Sequence, residues 1–378
     1  MRSLAAAVTL GTMVLGAAPS RGPLFVPGPG SPLALGKAPN GIVAADLDGD
    51  GRPDIVTTNG RSHDLSVLLG DGRGGFLPAP GVSPSLPVAP HLAAAGDLDG
   101  DRRLDLVVTA HDSFDVFVWL GDGRGGFRPA RGSPVRALDG ERPHNHGLAL
   151  GDLDRDGNLD VVTTDDGAHA VAALLGDGKG GLSRAPGSPF HVGREPYPLA
   201  QGDVNSDDRL DVVTPCVGSD SLSVLLGDGR GGFASAPGSP VAVAPRPYFA
   251  ALGDVDGDGS PDAVVSHDDA QIVTVLLGDG AGGFTPAPGS PLDVGRRLWE
   301  LALEDVDGDG RLDLLGAGGA VLVLHGDGAG RFRPAPGSPY PSGRGSWTLA
   351  IADFDLDGKR DVATADLEDG TVTVLLAR

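Results

Sequence analysis

The chain has 378 residues and a net charge of −22, from 51 acidic and 29 basic side chains, a balance that argues against nucleic acid as a partner. Its 62 glycines and 32 prolines leave little room for helices, yet 40% hydrophobic content is too much for a disordered chain. One cysteine, Cys216, excludes both a disulfide framework and a thiolate zinc centre.

At the N-terminus Arg2 precedes an apolar stretch from Leu4 to Ala18 and then Pro19-Ser20-Arg21. A basic start, a short apolar region and small residues predict a signal peptide over residues 1–20, cleaved after Ser20. The stretch is too short for a membrane span. The mature chain is therefore expected to be secreted or periplasmic and monomeric, with no span of its own.

From there one aspartate-rich motif recurs seven times, beginning at Asp46, Asp97, Asp152, Asp203, Asp254, Asp305 and Asp353, at intervals of 51, 55, 51, 51, 51 and 48 residues. That period suits a four-stranded propeller blade. In the third unit a small-residue strand, Leu148–Gly151, enters the aspartate loop. Apolar strands follow at Val161–Thr164 and Val171–Leu175, and a turn at Gly176–Gly181 opens a fourth strand from Leu182 towards Pro189. The six glycine-rich turns read as hairpins needing positive φ, since no lysine-serine pair or following helix makes a phosphate cradle. The seventh unit stops at Arg378 without a fourth strand, while Phe25–Pro32 repeats the pattern of Phe284–Pro291. The fold class predicted is thus all-β: one seven-bladed propeller of four-stranded antiparallel blades over residues 22–378, its ring closed by the N-terminal strand, which pairs with Val372–Leu376.

The aspartate loops have the ligand chemistry of calcium. Carboxylates at positions 1, 3, 5 and 9 and the backbone carbonyl of position 7 can converge on one hard cation, with glycine at position 6 allowing the turn. The ligand sets are Asp46, Asp48, Asp50, Arg52 and Asp54; Asp97, Asp99, Asp101, Arg103 and Asp105; Asp152, Asp154, Asp156, Asn158 and Asp160; and Asp203, Asn205, Asp207, Arg209 and Asp211. They continue with Asp254, Asp256, Asp258, Ser260 and Asp262; Asp305, Asp307, Asp309, Arg311 and Asp313; and Asp353, Asp355, Asp357, Lys359 and Asp361. Packing so many acids at short range would destabilise a metal-free fold, so up to seven structural Ca²⁺ are expected. Arg102 and Asp208 replace the turn glycine, and Asn205 removes a charge.

These Asp-x-Asp-x-Asp-Gly-x-x-Asp loops, the apolar strand after each and the Gly-Asp-Gly-x-Gly-Gly-Phe turns resemble the FG-GAP/VCBS repeat family and, more distantly, the propeller of integrin α-subunits. The resemblance covers essentially the whole mature chain. It implies a calcium-holding propeller, and it embraces adhesion proteins, lectin-like modules and propellers attached to enzymes.

In a four-strand meander the aspartate loops and glycine turns share one face. The length changes fall on the other, where specificity usually resides. Six residues before each first aspartate stand Asn40, His91, His146, Tyr197, Tyr248, Trp299 and Trp347, expected at the start of the innermost strands. Just upstream lie Lys37, Arg142, Arg194, Arg246, Arg296, Arg297 and Arg344. Such a ring either plugs the channel or receives a ligand. An acidic glycan suits stacking on the aromatic rings and bidentate pairing with Arg246 and Arg297. A surface protein is the other class of partner. His144-Asn145-His146, His111-Asp112 and His267-Asp268-Asp269 form no recurring catalytic constellation. The function expected is a secreted binding or adhesion module; the alternative is a polysaccharide lyase, with His146 and Arg142 nearest to a base and its charge-neutralising partner.

Overall fold

Short apolar runs bounded by aspartate or glycine become strands because each run is only long enough to cross a blade once, and the glycine turns reverse it. The computed structural model describes residues 23–80 and 83–378; the signal segment expected over residues 1–20 lies outside them. In the third blade the strands are Asn145–Gly151, Asp160–Asp165, Ala170–Gly176 and Leu182–Arg184, paired antiparallel in sequence order. The first three extend a residue or more beyond the runs read from sequence. The described residues form seven such sheets.

Every residue of the second strands, among them Asp54–Asn59, Asp160–Asp165 and Asp361–Asp366, is buried. Each second strand has a neighbouring blade on both faces, which is why both alternating sets of side chains must pack. The core accordingly divides into seven wedges, one per pair of adjacent blades. Val107, Val116 and Val118 meet Val161, Ala172 and Leu174 between blades two and three. Ile55 and Leu68 meet Ala363, Val372 and Val374 where blade seven returns to blade one.

The ring closes through the N-terminal strand. Phe25, Val26 and Pro27 pair with Ala377, Leu376 and Leu375, and Leu33–Ala34 pairs with Thr371–Val372. The Arg378 N–H donates to the Leu24 carbonyl at 2.9 Å. Phe25 also meets Tyr340 of blade six edge-on at 5.2 Å, and the Tyr340 hydroxyl accepts the Leu24 N–H at 2.9 Å.

The fourth strands differ from the sequence expectation. Instead of one run from Leu182 towards Pro189, two short pieces, Leu182–Arg184 and Phe190–His191, both lie on the third strand. Between them Ser188 accepts the Ala173 N–H on its hydroxyl at 3.1 Å. Ser133 and Ser239 accept the Val118 and Val224 N–H groups in the same way, at 2.8 and 2.9 Å. The Gly-Ser-Pro segments are therefore side-chain substitutes for missing ladder bonds, and they break up the outer edge of six of the blades.

The glycine turns do more than reverse the chain. The Gly74 N–H donates to the Phe354 carbonyl of blade seven at 3.0 Å, and the Gly180 N–H to Leu98 of blade two at 2.9 Å. Gly74 has φ of 77°, and a Cβ there would lie 2.7 Å from Leu376 Cδ1. Close approach between blades demands glycine as much as the turn does. Among the described residues no helix is long and apolar enough to cross a membrane.

Candidate functional site

The aspartate loops and the glycine turns are tied together by the ninth loop residue. Asp54 accepts the Leu47 N–H on Oδ2 and the Gly70 N–H on Oδ1, both at 2.8 Å. Asp160 does the same for Leu153 and Gly176, at 2.7 Å each. In blade seven Asp361 accepts from Phe354 and Ala377, at 2.7 and 2.8 Å. These seven aspartates are buried, and burial pushes their carboxyls up, to about 6 for Asp160 and Asp361, with the neighbouring loop acids adding to the rise.

The other acids of each loop face one another. Carboxylates of Asp46, Asp48 and Asp50 have oxygens within 4.8 Å, as do those of Asp97, Asp99 and Asp101, and in the third loop Asp152 and Asp154 cluster with the ninth residue, Asp160. Asp46 accepts the Gly49 and Gly51 N–H groups at 2.9 Å each, which fixes the loop around it. The turn tolerates the substitutions that stood out in the sequence. Arg102 and Asp208 adopt φ of 68° and 61°, and both donate their N–H to the first aspartate as the glycines do. Position 4 also needs positive φ, and Arg155, Ser206 and Leu356 adopt it there. At position 7 the side chain has a role besides the carbonyl. Arg52 and Lys359 pair with Asp50 and Asp357, and Arg103 reaches Asp101 at 3.4 Å. In blade six His325 places Nδ1 3.3 Å from Asp307 and 3.4 Å from Asp313, where other blades carry leucine. All-oxygen donor sets fit a hard divalent cation.

On the opposite face the expected ring side chains come together. His146 stacks on Tyr197 with centroids 4.0 Å apart; Tyr197 meets Tyr248 and Tyr248 meets Trp299, both at 4.9 Å. Trp299 lies 5.2 Å from Trp347, and His91 lies 5.7 Å from His146. Asn40 occupies the remaining place without an aromatic ring. Backbone irregularity aims these side chains inward. The first strands of blades one, two, three, five and seven shift register at Asn40, at His91–Leu92, at His146, at Tyr248–Phe249 and at Trp347. A bulge re-aims a side chain in this way. Tyr197 and Trp299 instead sit just ahead of their strands, Ala200–Gly202 and Glu300–Glu304.

The ring opens onto a cavity of about 540 Å³ that also touches Glu300 and Thr348. Glu300 accepts the Leu349 N–H at 3.1 Å, and burial pushes its carboxyl up to about 8. Burial lowers His91 to about 4 and His146 to about 2, with the neighbouring histidines adding to the effect. Burial thus favours the uncharged forms of His91, His146 and Glu300. Sequence reasoning missed Glu300, because nothing marks one glutamate next to Trp299 as buried.

Two of the seven basic residues upstream, Arg246 and Arg344, are taken up by carboxylates. Arg246 pairs with Asp268 and also reaches Asp269 at 3.7 Å, and Arg344 reaches Asp369 at 2.7 Å. Acids on the second-to-third-strand loops take up that charge. Arg297 has no carboxylate partner among the described residues, as is true of Lys37, Arg142, Arg194 and Arg296, but its guanidinium lies 5.1 Å from the Trp299 ring centroid, over its face.

Five stretches, residues 46–108, 97–163, 152–214, 254–316 and 305–364, match the family model described as FG-GAP-like repeat. No curated protein sequence matches the chain. Among solved structures, a complex of BBS1N with ARL6DN is similar at 13% identity and TM-score 0.64, over 94% of this chain and 98% of that one. A lectin of Agrocybe aegerita, described as recognising non-reducing terminal N-acetylglucosamine, aligns at 21% identity and TM-score 0.54 over 78% of each chain. Virginiamycin B lyase of Staphylococcus aureus aligns at 12% identity and TM-score 0.55, over 92% of this chain and 98% of its own. At these identities the likeness is one of fold.

Proposed function

The chain belongs to the FG-GAP-like repeat family, and on that premise we propose that it is a calcium-stabilised binding propeller whose channel mouth takes an acidic glycan. One observation carries this reading: Arg297 is braced on Trp299 beside Trp347, which is 40% exposed, at the rim of the cavity. An exposed indole offers a sugar ring a flat apolar face. The guanidinium next to it offers a planar fork for a carboxylate or sulfate. Arg246 serves the same ligand less well, since Asp268 and Asp269 already engage it. The acidic remainder of the surface would turn such ligands away elsewhere. Carbohydrate recognition by the Agrocybe aegerita lectin supports this use of the architecture. The aspartate loops, in this proposal, hold Ca²⁺ through Asp and Asn205 side chains and hold the blades' ends in register. Export fits the leader expected at residues 1–20.

A glycan array probed with the calcium-loaded chain tests the proposal. Retention of uronate- or sulfate-bearing glycans, reduced when calcium is chelated, is the expected outcome. An array with no glycan retained would contradict it. Release of unsaturated ends absorbing in the ultraviolet would assign a lyase instead.

A further inference from the structure

Four histidines gather at one side of the channel mouth, at blades two and three, away from Trp299 and Trp347. His111 and His144 lie with ring centroids 3.9 Å apart, His144 and His146 at 4.3 Å, and His111 and His146 at 5.2 Å. His91 closes the group at 5.4 Å from His111. Donor atoms of His111, His144 and His146 all lie within 4.8 Å of one another. From these positions we propose a transition-metal site, of the Zn²⁺ class, formed by His111, His144 and His146 with the Asp166 carboxylate.

The donor atoms are placed for it. His146 Nε2 is 3.0 Å from His144 Nδ1 and 3.8 Å from Asp166 Oδ2, and His144 Nδ1 also contacts Asp166 Oδ2. Two imidazole nitrogens each about 2.0–2.1 Å from a tetrahedral ion lie about 3.3 Å apart, close to the spacing seen. Without an ion the arrangement is badly served. Nδ1 of a neutral His144 has room for one hydrogen or one lone pair, yet it faces both a second imidazole nitrogen and a carboxylate. Only one of those two contacts can then be a hydrogen bond. A cation shared by all three removes the conflict.

The surroundings hold the ligands in place. His111 Nδ1 lies 2.9 Å from Asp112 Oδ1, which leaves its Nε2 for a metal and supplies the outer carboxylate that metal-binding histidines usually carry. The His144 N–H donates to Asp165 Oδ2 at 2.8 Å, and its carbonyl accepts the Asp166 N–H at 3.1 Å. The Asn145 N–H donates to the His111 carbonyl at 3.0 Å, fixing the two blades' histidines relative to each other. The residues come from the loop before blade three, lengthened by four residues relative to its neighbours, and from the second-to-third-strand loops of blades two and three. Nitrogen donors select Zn²⁺, Cu²⁺ or Ni²⁺ over Ca²⁺, so this site is chemically separate from the all-oxygen aspartate loops. It shares His146 with the aromatic ring, and zinc binding is measured with no glycan present.

Titration calorimetry with ZnCl₂ on the full chain, in saturating CaCl₂, tests the site, and Co²⁺ absorption reports its geometry. One Zn²⁺ per chain is expected, with a Co²⁺ spectrum of tetrahedral intensity. His111→Ala and His144→Ala, both at partly exposed side chains, should each weaken Zn²⁺ by more than the about 100-fold that outer partners carry, and Asp112→Asn by about 10-fold. Circular dichroism melting in calcium confirms that each variant is folded, and Trp347→Ala should leave the zinc stoichiometry unchanged. Absence of zinc binding by the calcium-loaded chain, or binding undiminished in a folded His111→Ala/His144→Ala double variant, would overturn the proposal.

Discussion

The two faces of the propeller are built on opposite principles. On the aspartate-loop face each blade repeats the same device: a buried ninth aspartate accepts two backbone N–H groups, and a cluster of acids sits above it. On the channel-mouth face the ring changes as it goes round, from Asn40 through two histidines and two tyrosines to Trp299 and Trp347. Repetition on one face holds the ring together, whereas singularity on the other gives it something to recognise. The ninth aspartate also divides the repeated face in two, since its two bonds tie the loop to the strands of its blade while the acids around it accept mainly from N–H groups of their own loop.

Removing calcium should break the comparison most severely. A site at ten times its dissociation constant contributes about 1.4 kcal/mol, so seven together contribute about 10 kcal/mol. Calorimetry in excess chelator is expected to show a large fall in melting temperature, restored by calcium; an unchanged melt would remove the metal from the account. A smaller effect separates the two roles within a loop. Asp160→Ala should cost about 2–4 kcal/mol even without calcium, because two buried N–H groups lose their acceptor. Asp154→Ala should destabilise only when calcium is present. Equal losses for both variants in chelator would show that the ninth aspartate has no separate role.

A third prediction concerns the mouth. In an unfolded chain the Glu300 carboxyl titrates at its ordinary value of 4.5, and in the fold it is held up to about 8. Its contribution to stability is therefore complete below pH 4.5 and is lost as the pH rises through 8. Glu300→Gln removes that dependence. The variant should gain about 1–3 kcal/mol over the parent at pH 8, less than the full linkage value because the group lines an open cavity, and nothing at pH 4. Urea titrations at the two pH values measure it, and a pH-independent difference would count against a buried neutral acid.

Much of this architecture was legible before any coordinates. Seven aspartate motifs at a near-constant spacing, together with an unpaired repeat fragment at each end of the chain, lead directly to a closed seven-bladed ring. The ring side chains were legible too, since counting back from Asp46 to Asp353 lands on them. What was not legible was whatever depends on distant partners. Register shifts at His146 and Trp347 are backbone events with no residue signature. Pairing of Arg246 with Asp268 joins residues from different loops, so composition alone suggested a free cationic collar. Glu300 and the histidine group gain their character from burial and from meeting across blades, which a single line of sequence does not display. Ser188 and its counterparts looked like part of a strand, yet their hydroxyls replace the strand's own bonds.

The central claim is that the aromatic mouth recognises a ligand and does not merely fill the channel. Affinity of the Trp299→Ala/Trp347→Ala double variant for an acidic glycan retained by the parent, measured by calorimetry in calcium, tests it most directly. The account predicts a loss of about 10–100-fold, as for central aromatic anchors, with melting temperature and calcium content unchanged. A double variant that binds as tightly as the parent would show that the ring is only a plug.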